Sequence, residues 1–122
     1  MATIMIVDDS NFTRRTHRRI VESDGHVVHE ATSGMAAIEG FFVHRPDLVL
    51  LDLTMEDMSG FEVLEKLRAL NAGARVIVVS ADVQRSTAKL VADAGGLRFL
   101  GKPVSPEGLL EAVRDVLAEG AP

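Results

Sequence analysis

Short apolar runs and helix-like stretches alternate along this chain. Ile4-Met5-Ile6-Val7, Leu48-Val49-Leu50-Leu51 and Val76-Ile77-Val78-Val79 are unbroken apolar runs, and Leu97-Arg98-Phe99-Leu100 is nearly so. Val27-Val28 opens a weaker one. Runs without polar alternation predict strands buried on both faces, as in a parallel sheet covered by helices on each side. The first intervening stretch, Asn11–Ser23, carries Phe12, Thr16 and Ile20 at helical spacing and breaks at Asp24-Gly25. Ser33 is placed to cap a helix with Ala37, Ile38, Phe41 and Phe42 on one face, stopped by Arg45-Pro46. Ser59-Gly60 precedes a helix carrying Phe61, Leu64 and Leu67, which ends at Asn71-Ala72-Gly73. A helix from Gln84 to Ala94 is closed by Gly95-Gly96. Ser105-Pro106-Glu107 starts the last helix, with proline in its first turn and a stripe of Leu109, Leu110, Val113, Val116 and Leu117.

Five βα units in series predict an α/β fold. Its five-stranded parallel sheet has the order 2-1-3-4-5 and is flanked by five helices, doubly wound and flavodoxin-like. The chain has 122 residues, 47% hydrophobic and 25% charged, which suits one compact domain, read as 1–122, rather than disorder. The tail Gly120-Ala121-Pro122 is expected to fray. No apolar run approaches the length of a membrane span, and Met1-Ala2-Thr3-Ile4 has none of the marks of a signal peptide. The absence of cysteine excludes disulfides and thiolate metal sites and fits a cytoplasmic location. A net charge of −5 argues against direct nucleic-acid binding.

The chemistry lies where the apolar runs stop. The first runs into Asp8-Asp9, the third into Asp52, the fourth into Ser80, and the fifth, through Gly101, into Lys102-Pro103. In an open α/β sheet, sites form beyond the carboxyl ends of the strands where strand order reverses, here between strands 1 and 3. The predicted order therefore brings three carboxylates into one crevice, with Ser80 and Lys102 on its rim. Crowded carboxylates raise one another's pKa and need positive charge. Lys102 supplies one unit, and an all-oxygen donor set points to Mg²⁺ for the rest. One carboxylate can then act as a nucleophile toward a phosphoryl group. Asp52 is the best candidate, because it stands alone on the central strand, while Asp8 and Asp9 suit the metal. Each residue also has a plain reading: Asp9 or Ser10 as a helix cap, Ser80 as a turn hydroxyl, Lys102 as a solvated amine. Four strand ends in register are what favour the joint reading. Arg14, Arg15, Arg18 and Arg19, with His17, form either a solvated helix face or a docking surface for an acidic partner. His17, His26, His29 and His44 show no ligand spacing and are expected at the surface.

These residues resemble the receiver domains of two-component response regulators, the CheY-like family, over residues 3 to 119. Asp8-Asp9, Asp52, the loop Met55 to Gly60, Ser80-Ala81, Ala94-Gly95 and Lys102-Pro103 follow the family's order and spacing. The resemblance implies that Asp52 accepts a phosphoryl group from a histidine kinase, a histidine phosphotransfer protein or a small donor such as acetyl phosphate. It implies Mg²⁺ held by Asp9, Asp52 and the carbonyl of Thr54, with Asp8 assisting through water. Ser80 and Lys102 would contact the phosphoryl group, and the Lys102-Pro103 bond would be cis. Ser80 and Phe99 would form the switch pair. The surface made by the fourth helix, fifth strand and fifth helix would change for an unnamed downstream partner. Such a protein is a signalling switch, not an enzyme, and is a monomer or a phosphorylation-dependent dimer.

Three positions depart from the pattern. Glu56 replaces a usual proline and is followed by Asp57, so the loop is expected to be more mobile and more negative. Phe99 lacks the hydroxyl a tyrosine would bring, and Gly101 is more permissive than a β-branched residue. Other functions fit less well. An aspartate-nucleophile phosphatase needs a second Asp where Thr54 stands, and a flavodoxin needs a phosphate loop without Asp8-Asp9. A pseudo-receiver that binds partners without phosphorylation remains the alternative.

Overall fold

The computed structural model describes residues 1–119; Gly120, Ala121 and Pro122, expected to fray, lie outside the described residues. Strands and helices alternate throughout: β1 (Thr3–Val7), α1 (Asn11–Ser23), β2 (Val27–Ala31), α2 (Gly34–His44), β3 (Leu48–Asp52), α3 (Gly60–Leu70), β4 (Val76–Ser80), α4 (Arg85–Asp93), β5 (Arg98–Gly101) and α5 (Pro106–Ala118). The sheet order is β2-β1-β3-β4-β5, with every neighbouring pair parallel. No described helix is long and apolar enough to cross a membrane.

The unbroken apolar runs serve both faces of the sheet at once. Successive strand side chains point to opposite faces, so Met5, Val7, Val49, Leu51, Val76 and Val78 join one core, with Ala37 and Phe41 of α2, Val63, Leu64 and Leu67 of α3 and Val91 of α4. Ile4, Ile6, Leu48, Leu50, Ile77 and Val79 join the other, with Val21 of α1 and Leu109, Val113 and Val116 of α5. Each fully buried aliphatic side chain contributes about 1.5–3 kcal/mol of transfer free energy. β3 and β4 are buried at every position, as central strands of a doubly covered sheet must be.

Most helix starts follow the capping rule. Ser10, Ser33, Ser59 and Ser105 cap α1, α2, α3 and α5, each accepting a backbone N–H from the first turn. α2 stops with Arg45 in the left-handed region (φ 47°), one residue before Pro46.

The buried faces of two helices differ from those expected. α1 buries Arg14, His17 and Val21, whereas Phe12 is 80% exposed. α2 buries Gly34, Ala37 and Phe41, leaving Phe42 71% exposed. In α1 the aromatic suggested the wrong helical phase; in α2 the expected face holds at Ala37 and Phe41, and Phe42 alone lies outside it. The histidine expectation needs correction at His17, which is buried; His44 is exposed as expected and stacks on the half-buried His29 at 3.7 Å, joining β2 to the end of α2.

Candidate functional site

The strand registers bring the four strand ends together. Val7 pairs with Leu51, so Asp8 and Asp52 leave adjacent strands at the same level. Asp52 pairs with Val79 and Ser80 with Gly101, which sets Ser80 and Lys102 one step further along the same edge.

Asp8 is 2% exposed and held at every polar atom. Its N–H donates to the Ala31 carbonyl (3.1 Å) and its carbonyl accepts from Arg14 Nη1 (2.9 Å). Oδ1 accepts from the Ser10 N–H (2.8 Å) and Oδ2 from Lys102 Nζ (3.0 Å). Asp9, next along the chain, is exposed.

Asp52 is 6% exposed. Its Oδ1 accepts from the Thr54 N–H (3.3 Å) and lies 3.6 Å from Lys102 Nζ. Among the described residues no hydrogen bond goes to its Oδ2. Burial pushes the Asp52 pKa up, and the charges of Asp8 and Asp9 push the same way. Lys102 and the Thr54 N–H oppose the shift without cancelling it. The geometry explains the shortfall, because the ammonium sits closer to Asp8 than to Asp52.

Carboxylate oxygens of Asp8, Asp9 and Asp52 all lie within 4.8 Å of one another. Such a set of hard oxygen donors, with no histidine or cysteine among them, fits a divalent cation of the Mg²⁺ kind. Thr54 is exposed beside Asp52, and its backbone already turns in toward that carboxylate.

Ser80 is 1% exposed, and its hydroxyl accepts from the Asp82 N–H (3.0 Å). The Asp82 carboxylate in turn accepts from the Gln84 N–H (3.1 Å) and from Thr87 Oγ1 (2.8 Å), so the Ser80 loop is tied to the start of α4. The Ser80 carbonyl accepts from the Lys102 N–H (2.9 Å), and the Lys102-Pro103 peptide bond is cis. Phe99 pairs with Val78, two positions before Ser80 on the same face, and lies half-buried against the core under α3 and α4.

Several contributors were not read from the sequence. Arg14 is buried under the acidic turn rather than solvated. Its phase was legible from Val21, which lies on the same helix face one turn beyond His17. Gly60 has no room for a side chain, since a Cβ there would sit 2.5 Å from Leu53 Cα and 2.7 Å from the Asp52 carbonyl oxygen. The loop after Asp52 is also tied down where mobility was expected. Asp57 Oδ1 accepts from the Gly34 N–H (2.9 Å) and Oδ2 from the Met35 N–H (3.0 Å). With Ser33 Oγ accepting from Ala36, the first turn of α2 is satisfied. A groove lined by Phe12, Thr13, Thr16, His17, Lys102, Pro103 and Val104 opens beside the lysine.

A five-stranded sheet of this order, with a carboxylate cluster at the switch point and a lysine across it, defines a receiver-type α/β domain. The chain belongs to the response regulator receiver domain family, whose model matches residues 4–114, and so to two-component signalling. The chemotaxis protein CheY of Bacillus subtilis (strain 168) is 38% identical over 115 residues, 93% of this chain and 96% of that protein. The nitrate/nitrite response regulator NarP of Escherichia coli (strain K12) is 39% identical over 113 residues, 91% of this chain but 53% of its own length. Among solved structures, a CheY-like receiver domain protein from Methanospirillum hungatei JF-1 matches with a TM-score of 0.93 at 29% identity, covering 98% of this chain and 95% of that one. A CheX-CheY-BeF3-Mg+2 complex from Borrelia burgdorferi matches with a TM-score of 0.91 at 31% identity, covering 94% and 88%.

Proposed function

We propose that this protein is a phosphoacceptor switch: Asp52 takes a phosphoryl group from a histidine kinase, a phosphotransfer protein or a small donor, and the α4–β5–α5 surface then changes for a downstream partner. The observation that carries the reading is Asp52 itself. It has one oxygen held by Thr54 and facing Lys102, the other without a protein hydrogen bond among the described residues, and two further carboxylates within metal-sharing distance. The free oxygen attacks phosphorus, the phosphorus bond to the donor's nitrogen or oxygen breaks, and the leaving group keeps that electron pair. Asp8, Asp9, Asp52 and the Thr54 carbonyl would hold Mg²⁺, which when bound neutralises charge on the transferring oxygens. Lys102, 3.6 Å from Asp52, would pair with the phosphoryl charge, and Ser80, whose hydroxyl now only accepts, is free to donate its own hydrogen to a phosphoryl oxygen.

The same hydroxyl supplies the switch. If Ser80 turns toward a phosphoryl group, its bond from Asp82 is lost, and with it the tie to Gln84 and Thr87 at the start of α4. Phe99, on the same sheet face, would move into the space vacated. The beryllofluoride and Mg²⁺ in the Borrelia CheY complex support this use of the fold. Thr54 stands where a phosphatase of the aspartate-nucleophile kind would carry its acid, which favours a held phosphoryl group over turnover.

Two-dimensional NMR with beryllofluoride and Mg²⁺ tests both halves of the reading. Amide shifts are expected at Asp9, Asp52, Ser80 and Lys102 and, beyond them, along α4, β5 and α5. Shifts confined to the acidic crevice would remove the switch, and no shifts at all would remove the acceptor.

A further inference from the structure

We propose that Arg14 is a positioning residue for the acidic pair: its guanidinium locks the Asp8–Asp9 turn against α1 and β2 and so fixes where Asp9 presents its carboxylate. The inference rests on the reading of Asp8, Asp9 and Asp52 as a Mg²⁺ site.

Three contacts define it. Arg14 Nη1 donates to the Asp8 carbonyl (2.9 Å), Nη2 to Asn11 Oδ1 (2.6 Å) and Nε to Glu30 Oε1 (2.6 Å). The planar fork therefore grips three segments at once: the end of β1, the first turn of α1 and the edge strand β2. Glu30 is itself braced, its second oxygen accepting from Arg18, which also donates to Glu22. The Asp8 carbonyl and the Asp9 N–H belong to one rigid peptide plane. Holding that carbonyl orients the plane from which Asp9 hangs. Asp8 needs no such help for its own carboxylate, which Ser10 and Lys102 already fix. Asp9 is exposed, and no side-chain hydrogen bond holds it among the described residues, so its placement depends on its backbone.

A supply of positive charge does not account for the arrangement. Lys102 already faces the carboxylates, while Arg14 is paired with Glu30 at salt-bridge distance and is close to neutral as a unit. An unpaired cation beneath the site would compete with a metal ion. The two roles therefore predict opposite signs. Removing a charge would tighten cation binding, and removing a positioning group would weaken it.

Mg²⁺ titration by calorimetry distinguishes them, since the chain has no Trp or Tyr to report binding optically. The series is wild type, Asp9→Ala, Arg14→Lys, Arg14→Gln and Asn11→Ala. Arg14→Lys keeps the charge and loses the fork; Arg14→Gln loses both. Both are expected to bind Mg²⁺ about tenfold more weakly, the usual scale for groups that orient ligands. In the metal-free Arg14→Lys protein the Asp9 amide resonance should move while those of β4 and β5 stay in place. Asn11→Ala changes no charge and alters only an exposed residue, so it serves even if the Arg14 variants fold poorly; because it removes one of the three anchors of the fork, a loss in the same direction but below about tenfold is expected. Unchanged or tighter binding in these variants, beside a wild type that binds and an Asp9→Ala that does not, overturns the positioning role alone. A wild type that fails to bind Mg²⁺, or an Asp9→Ala that binds equally well, overturns the metal site and this inference with it.

Discussion

At the scale of the residue, Asp52 has two environments to satisfy. Buried at the end of β3, its charge is costly, and burial outweighs Lys102 in setting its pKa above the ordinary carboxylate range. A carboxyl whose folded pKa is raised contributes stability below its unfolded pKa, near about 3.9, and loses it as pH rises through the folded value. The metal-free protein at neutral pH therefore carries Asp52 as a liability. Asp52→Asn is expected to raise the thermal midpoint in the presence of chelator, with the gain absent near pH 3.5 and growing toward pH 7. Excess Mg²⁺ should reverse the order, because a cation at tenfold its dissociation constant stabilises the wild type by about 1.4 kcal/mol. Circular dichroism melts across pH, with and without metal, measure both. A midpoint lowered by the substitution in chelator would mean that Lys102, and not burial, dominates this carboxylate.

At the scale of the element, the loop between β3 and α3 is coupled to α2. Asp57 accepts from two N–H groups at the start of α2, and those bonds, Gly34's first, hold its pKa below the usual range. A depressed carboxylate contributes stability above its unfolded pKa and loses it as pH falls through the lower folded value. Amide exchange at Gly34 and Met35 is expected to quicken in Asp57→Ala at neutral pH, and in wild type only at strongly acidic pH. Equal exchange in the two proteins would mean that Ser33 alone secures the helix. This link shows where reading the sequence stops. Ser33, Ser59 and Ser105 announce their helices because a cap acts within three residues. Asp57 acts across more than twenty, so locally it reads only as an added charge in a loop. The phase of α1 failed differently: Phe12 drew the stripe toward itself, while the buried positions carry an arginine and a histidine.

At the scale of the whole molecule, the parallel sheet was legible because apolar runs without alternation call for burial on both faces, its order followed from the usual winding of five βα units, and four of the five runs deliver a reactive group to one edge. What holds those groups in place was not legible, since Arg14 grips the Asp8 carbonyl and Glu30 of β2, and Gly60 makes room for the Asp52 carbonyl, through contacts that exist only once the chain has folded. Burial of His17 beneath this edge lowers its pKa, with Lys102 adding to the effect and Asp8 opposing it. Below about pH 6.5 the unfolded chain then binds more protons than the folded one, so stability falls with acidification. The thermal midpoint should decline between pH 7 and pH 5, and less steeply in His17→Gln; identical slopes would place the loss elsewhere. The central claim, that these strand ends build a Mg²⁺-dependent acceptor on Asp52, is tested most directly by incubation with acetyl phosphate, followed by intact mass and peptide mapping. One acid-labile phosphoryl group is expected, mapped to Asp52, absent without Mg²⁺ and absent in Asp52→Asn. Labelling that persists in Asp52→Asn, or that never appears in the wild type with Mg²⁺ present, would contradict the account.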